Sequence, residues 1–358
     1  MKNYKILGLM SGTSLDGLDL AYCHLEEVNG EWQFKIKNTK SVDYTQEMQL
    51  ALKDSIHLSA ERLLEFHNTY GTWLGEQAKN FIDEANLEVD YIASHGHTSH
   101  HRPELGLTFQ MGSGQHMANA SGGNVICDFR TNDLALGGQG APLVPIGDQL
   151  FFSAYDFCLN LGGISNISFQ LKNKRIAYDI GLANMILNYI TRKINLDYDN
   201  GGEMAKAGKI NSAMLKELNN LRYYALPHPK SIGYEWFLEE VAPIVDRTKD
   251  KMENLLHTAI HHICEKVAQQ IQINSKKDEQ RVLVTGGGAL NTFLIDVLKE
   301  KLGDRTAVVV PEPILIEFKE ALVFALMGAL RVERQINVLS SVTGARRDSS
   351  SGVIYLPN

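Results

Sequence analysis

The chain has 358 residues, 44% hydrophobic and 22% charged, ordinary globular values that argue against wholesale disorder and suit two domains better than one. A formal net charge of −7 argues against a duplex-coating nucleic-acid binder, which would carry a basic face, but not against binding a small anion. Cys23, Cys127, Cys158 and Cys264 form no CxxC pair, no apolar run could span a bilayer, and the first apolar residues give way to Gly and Ser too soon for a signal peptide; the expected setting is reducing and cytoplasmic.

In chain order, an apolar strand over 4–10 breaks into Ser11-Gly12-Thr13-Ser14, passes Asp16-Gly17, and resumes as an apolar strand over 18–23. Strand, Gly/Ser/Thr turn, strand is a hairpin that can wrap backbone N–H groups and hydroxyls around a phosphate. Residues 31–39 alternate as a third antiparallel strand. Apolar residues at spacings of three and four mark one helix over 61–85, with Ser59 as its N-cap. A short strand over 90–94 ends at the polar run 95–101. Another over 124–127 leads into a polar, glycine-dense loop that holds Asp128, Arg130, Asp133 and Gly137 to Gly140.

The plan then repeats. A strand over 155–161 breaks at Gly162-Gly163, strands follow over 164–171 and 176–178, and helices occupy much of 183–272. A strand over 281–285 runs into Gly286-Gly287-Gly288, followed by helices over 290–302 and 317–332. The repetition predicts an internally duplicated α/β fold, with domains 1–148 and 149–335, a tail 336–358 packing back near the first domain, and a cleft between the halves.

Three glycine turns after three strands suggest two phosphate clamps and a turn near a nucleoside, although none is a Walker loop or GxGxxG. Asp16, Asp19 and Asp179 are the nearest carboxylates. Asp16 suits a divalent cation through a water molecule; Asp19 suits either the site or a structural hydrogen bond; Asp179 points to the cleft or caps the helix near Ala183. The histidines of 95–101 lack a carboxylate or cysteine at ligand spacing and read as a polar loop lining the cleft. His257, His261 and His262 lie on a helix, but HTAIH lacks the Glu of HExxH. Arg130 suits a carboxylate or phosphate, or else a surface salt bridge.

Seven blocks carry a resemblance: MSGTSLDGLD (10–19), HGHTSHHRP (95–103), DFRTNDLALGGQGAPLVP (128–145), NLGGISN (160–166), VTGGGALN (284–291), EALVFA (320–325) and SVTGA (341–345). In this order they resemble the anhydro-N-acetylmuramic acid kinase family of the actin, Hsp70 and sugar-kinase superfamily. The resemblance implies a two-domain actin-like ATPase fold, of duplicated ribonuclease H-like units around a central cleft. It implies that ATP, Mg²⁺ and water open the 1,6-anhydro ring of anhydro-N-acetylmuramic acid while O6 is phosphorylated, giving N-acetylmuramic acid 6-phosphate in cell-wall recycling. Asp179 matches the catalytic base. Gly12, Thr13, Ser14, Leu15, Asp16, Gly17, Leu18, Asp19, Gly162, Gly163, Gly286, Gly287 and Gly288 match the ATP turns, with Asp16 on the metal. His95, Arg130, Gln139, Asn184 and Glu320 match the sugar side.

Three segments depart from the family pattern. Residues 179–184 read DIGLAN for DTGPGN, residues 229–237 read PKSIGYEWF for PKSTGRE-x-F, and His97 stands for Gln. These changes fall on the sugar side, so a related sugar kinase with a shifted substrate and a catalytically silent nucleotide-binding protein stay open as alternatives. Neither nucleic acid nor membrane is expected as a partner, and a homodimer is left open.

Overall fold

A computed structural model describes residues 2–12, 15–275 and 277–358. The chain divides into two compact units, Met1–Phe151 with Phe318–Asn358, and Phe152–Glu317.

In the first unit, β1 (Lys2–Ser11), β2 (Gly17–Val28) and β3 (Glu31–Asp43) form an antiparallel meander. β4 (Tyr91–Ser94) lies parallel to β1. β5 (His97–Arg102) and β6 (Leu107–Met111) make a separate hairpin, and β7 (Val125–Cys127) lies parallel to β4. Leu7, Leu9, Leu18 and Leu20 meet Tyr70, Leu74, Ala78 and Phe81 of the helix Ala60–Glu84 in one core. Each fully buried leucine of this kind contributes about 1.5–3 kcal/mol. The i, i+4 spacing of those helical residues forms the apolar stripe, and Ser59 Oγ accepts the Arg62 N–H at the helix start.

The polar run expected as a loop is instead strand β5. His97 and Ser99 turn inward while Thr98 and His100 are half-buried, so the two-residue period of a strand is present without apolar residues to signal it.

In the second unit, β8 (Phe157–Leu161), β9 (Ile164–Leu171) and β10 (Lys174–Leu182) form the second meander. β11 (Gln280–Thr285) lies parallel to β8, and β12 (Thr306–Val309) parallel to β11. The order β10-β9-β8-β11-β12 repeats β3-β2-β1-β4-β7, so the duplicated mixed α/β architecture is present strand for strand. The helix Met252–Asn274 is the unit's spine, burying Leu256, Ala259, Ile260, Ile263, Val267 and Ile271.

The chain then returns. The helix Pro313–Val332 begins in the second unit and continues in the first from Phe318, where the sequence had placed it wholly with the second domain. The reason is packing. A Cβ added at Gly8 of β1 would lie 1.9 Å from the Ala321 carbonyl oxygen, and one at Gly328 would lie 2.9 Å from Ala93 of β4, so small residues let this helix sit directly on the sheet. β13 (Val353–Tyr355) closes the first sheet, antiparallel to β7. No helix among the described residues is long and apolar enough to cross a membrane.

Candidate active site

β1 and β2 stay in register up to the pair Ser11–Leu18, and the turn between them carries the first expected ATP segment. Thr13 and Ser14 lie outside the described residues. Leu15 has a left-handed φ of 61° and its N–H donates to the Gly12 carbonyl at 3.4 Å. Asp16 is exposed on the turn. Leu18 is buried in the core and lies within β2, opposite Ser11 of β1 and Val42 of β3. Asp19 accepts the Ser41 hydroxyl at 2.6 Å, so the structural role left open for it is filled.

The loop after β7 is organised by two buried polar centres. Arg130 donates through Nε (3.0 Å) and Nη2 (2.9 Å) to His95 Nε2, and through Nη1 to the Gly140 carbonyl at 2.6 Å. A guanidinium only donates, so Nε2 of His95 is the acceptor and its proton sits on Nδ1. Burial and the adjoining Arg130 hold the His95 pKa well below the usual range. Burial also lowers that of Arg130 to about 10, against the pull of Glu320 and Asp133. The second centre is Asp133, fully buried. Its Oδ2 accepts the Gly140 N–H (2.8 Å) and its Oδ1 the Thr343 hydroxyl (2.7 Å), while the Gln139 N–H donates to the Thr343 carbonyl at 2.8 Å. The segments 128–145 and 341–345 are thus one piece of structure, and the Gln139 side chain is left exposed.

Glu320 is exposed on the last long helix. The protein around it raises its carboxyl above the ordinary range, opposed by Arg130 and Lys319 and reinforced by Asp19 and Asp16. Of the residues expected at the metal, the phosphates and the sugar, Asp16, Asp19 and Arg130 therefore all act on Glu320 within the first unit. A buried ion pair between Lys319 and Asp148, 2.7 Å, fixes the helix one residue before Glu320.

In the second unit the glycine turns abut. A Cβ at Gly286 would lie 2.5 Å from Asn160 Oδ1, and one at Gly288 2.7 Å from Leu161 Cβ, so the fold itself needs glycine there. Gly162 and Gly163 differ: a Cβ would meet nothing nearer than 3.5 Å and 3.7 Å, and neither φ is left-handed. Glycine at these two positions leaves backbone open to close approach by a ligand. Asn184, expected on the sugar side, opens the helix Asn184–Arg192 and donates to the Leu161 carbonyl at 3.1 Å. Its Nδ2 lies 3.5 Å from the Cβ position of Gly287, so it ties the two turns together.

Asp179 is on β10 at a bulge shared with Gly181, four residues from the helix cap at Ala183, so the capping alternative falls. Its Oδ2 accepts the Ile232 N–H at 3.1 Å, its N–H donates to the Lys230 carbonyl at 3.2 Å, and its carbonyl accepts the Tyr223 hydroxyl at 2.7 Å. Burial raises its pKa to about 6, against the lowering effect of the Ile232 N–H and Lys230. The bulge is backed by Tyr224, whose ring would lie 2.5 Å from a Cβ at Gly181. Tyr224 is held in turn by His262 Nε2 at 2.8 Å, with Nδ1 of the same ring on Asn219.

Sequence reasoning placed Asp133 in its polar loop without a partner, and missed Tyr223 and the Ile232 N–H. Asp133 was visible in its motif, but its partner Thr343 is 210 residues away; a main-chain donor leaves no side-chain signal at all. Among the described residues, no group of three or more His, Cys, Asp or Glu is arranged to hold a metal ion. His257 and His261 stack on each other with ring centroids 4.6 Å apart.

A family model described as anhydro-N-acetylmuramic acid kinase matches residues 4–357. The anhydro-N-acetylmuramic acid kinase of Sulfurimonas denitrificans is 32% identical over 98% of this chain and 98% of its own length. That of Aliivibrio fischeri is 32% identical over 99% of this chain and 100% of its own. Among solved structures, the activator of the 2-hydroxyisocaproyl-CoA dehydratase from Clostridium difficile with bound ADPNP is 13% identical with a TM-score of 0.45, covering 92% of this chain and 97% of that one.

Proposed function

The chain belongs to the anhydro-N-acetylmuramic acid kinase family and is an ATP-dependent carbohydrate kinase, and we propose that it opens the 1,6-anhydro ring of anhydro-N-acetylmuramic acid with water while phosphorylating O6. The product is N-acetylmuramic acid 6-phosphate, a step of cell-wall recycling in the cytoplasm.

The carboxylate of Asp179 carries this reading. With a pKa near 6 it is ionised at neutral pH yet still basic enough to accept a proton. The Ile232 N–H holds Oδ2, which leaves Oδ1 to take a proton from a water attacking C1. The C1–O6 bond breaks, its electron pair stays on O6, and O6 takes the γ-phosphoryl group of ATP, releasing ADP. The turns at Gly12 to Asp19, Gly162-Gly163 and Gly286 to Gly288 bind the ATP, a role supported by Gly162, Gly163 and Gly287, at which the fold itself does not require glycine.

The exposed Asp16 carboxylate is a hard oxygen donor of the kind Mg²⁺ takes through water, and the bound ion would offset negative charge on the phosphates. On the sugar side, Arg130 keeps two N–H donors beyond the three bonds it makes internally, and Glu320 and Gln139 are exposed beside the same loop. His95 is 5% exposed with Nε2 spent on Arg130, so its assigned part is to aim that guanidinium. Asn184 is assigned to the nucleotide turns it ties together.

The test is ADP release with anhydro-N-acetylmuramic acid in isotopically labelled water, wild type beside Asp179→Asn. Label at C1, phosphate at O6 and loss of nearly all turnover in the variant are expected; unchanged turnover in the variant would remove the base assignment. A shifted substrate is the second reading, favoured by Ile232, which departs from the family pattern and lies directly on Asp179. It predicts ADP release with a reducing amino sugar and none with the anhydro sugar. The contact itself survives the departure because the donor is main chain.

A further inference from the structure

The end of β1 is gripped by a chain of side chains that the proposed reaction does not use. Ser11 is the residue before Gly12, is 2% exposed, and forms with Leu18 the last paired position before the turn. Its Oγ accepts the Tyr44 hydroxyl at 2.7 Å and lies 3.0 Å from His97 Nδ1, while the Tyr44 and Tyr70 hydroxyls are 2.8 Å apart. Each hydroxyl has one proton to give. Tyr44 spends its proton on Ser11, so Tyr70 donates to Tyr44, and the Ser11 proton goes to His97. Every link from Tyr70 through Tyr44 and Ser11 to His97 is satisfied when His97 carries its own proton on Nε2.

Tyr70 comes from the helix Ala60–Glu84, Tyr44 follows β3, and His97 opens β5, so three separate elements converge on one serine. His97 is 3% exposed, and burial keeps it neutral with its acceptor nitrogen available. A buried network satisfied at each member rigidifies what it holds.

Its motif suggests the sugar side for His97, but the contact with Ser11 points elsewhere, and we propose that His97 is a positioning residue for the phosphate turn: acting through Ser11, it fixes the strand end that leads into Gly12. The proposal rests on the reading that this turn holds the phosphates of ATP. Its chemical requirement is a neutral buried acceptor, which a glutamine carbonyl also supplies and an alanine does not.

Binding of ATP, ADP and adenosine is measured by calorimetry for wild type, His97→Ala, His97→Gln and Tyr44→Phe, together with KM for ATP and for the sugar. His97→Ala is expected to weaken ATP and ADP about tenfold, the scale of one lost buried hydrogen bond, with adenosine affinity and the sugar KM unchanged. His97→Gln is expected to restore binding to within about twofold of wild type. Unchanged ATP and ADP affinity in His97→Ala overturns the proposal, as does an equal loss for adenosine, which would mark a merely structural role. If His97→Ala does not fold, Tyr44→Phe removes one hydroxyl from the same chain, and unweakened ATP binding in that folded variant overturns the proposal equally. Failure of the underlying reading shows separately, as wild-type protein binding ADP no more tightly than adenosine.

Discussion

Asp179, the proposed base, is half-buried at a cost to the fold. Its surroundings raise the carboxyl from 3.8 to about 6, chiefly by burial. A carboxyl whose pKa rises on folding favours the folded state most below its unfolded value and loses that advantage as pH climbs through the folded value. The ionised form at neutral pH therefore costs about 3 kcal/mol. Asp179→Asn, which keeps an acceptor for the Ile232 N–H, is expected to gain stability over wild type as pH rises from about 4 to 7, and to match it in acid. Chemical denaturation across that range checks this; a variant less stable at neutral pH would mean the burial is offset elsewhere. For turnover the sign is opposite: kcat/KM falls as pH drops below about 6, because the protonated base accepts nothing. A profile flat down to about pH 4 would remove Asp179 from the proton transfer.

At the scale of elements, glycines separate into those the fold needs and those it does not. Gly8 lets β1 meet the helix Pro313–Val332 at Ala321, the residue after Glu320, so the helix that bears Glu320 is seated by the strand that leads to the first glycine turn. A methyl group there would strike a backbone carbonyl, and Gly8→Ala is expected to destabilise by about 3 kcal/mol or more. Gly163→Ala meets no such contact and is expected to change stability by less than about 1 kcal/mol. Its effect falls on nucleotide affinity instead. Melting curves with and without ATP distinguish the two: Gly8→Ala lowers the transition of the free protein, Gly163→Ala lowers only the shift that ATP produces. The duplicated meander explains why both turns could be found from sequence. Strand, glycine turn and strand are local, and each half repeats them.

For the whole molecule, Asp179 and the glycine turns of the second unit belong to a folded unit, so any ligand they hold is coupled to unfolding. ATP at about a hundred times its Kd should add about 2.7 kcal/mol to the stability of whatever it binds. A melting transition that ATP leaves unmoved at saturating concentration would count against nucleotide binding. The amino-acid sequence by itself determined the two α/β halves, the strand-and-glycine plan that each half repeats, and the family, because periodicity and short motifs arise from neighbours along the chain. Tertiary structure alone decided that the last helix continues in the first unit, that the histidine run is a strand, that Asn184 ties the two glycine turns of the second unit, and that Asp133 reaches Thr343. Each of those depends on groups brought together from distant positions, or on a main-chain donor such as the Ile232 N–H. Burial, which sets the basicity of Asp179, exists only once those segments have packed.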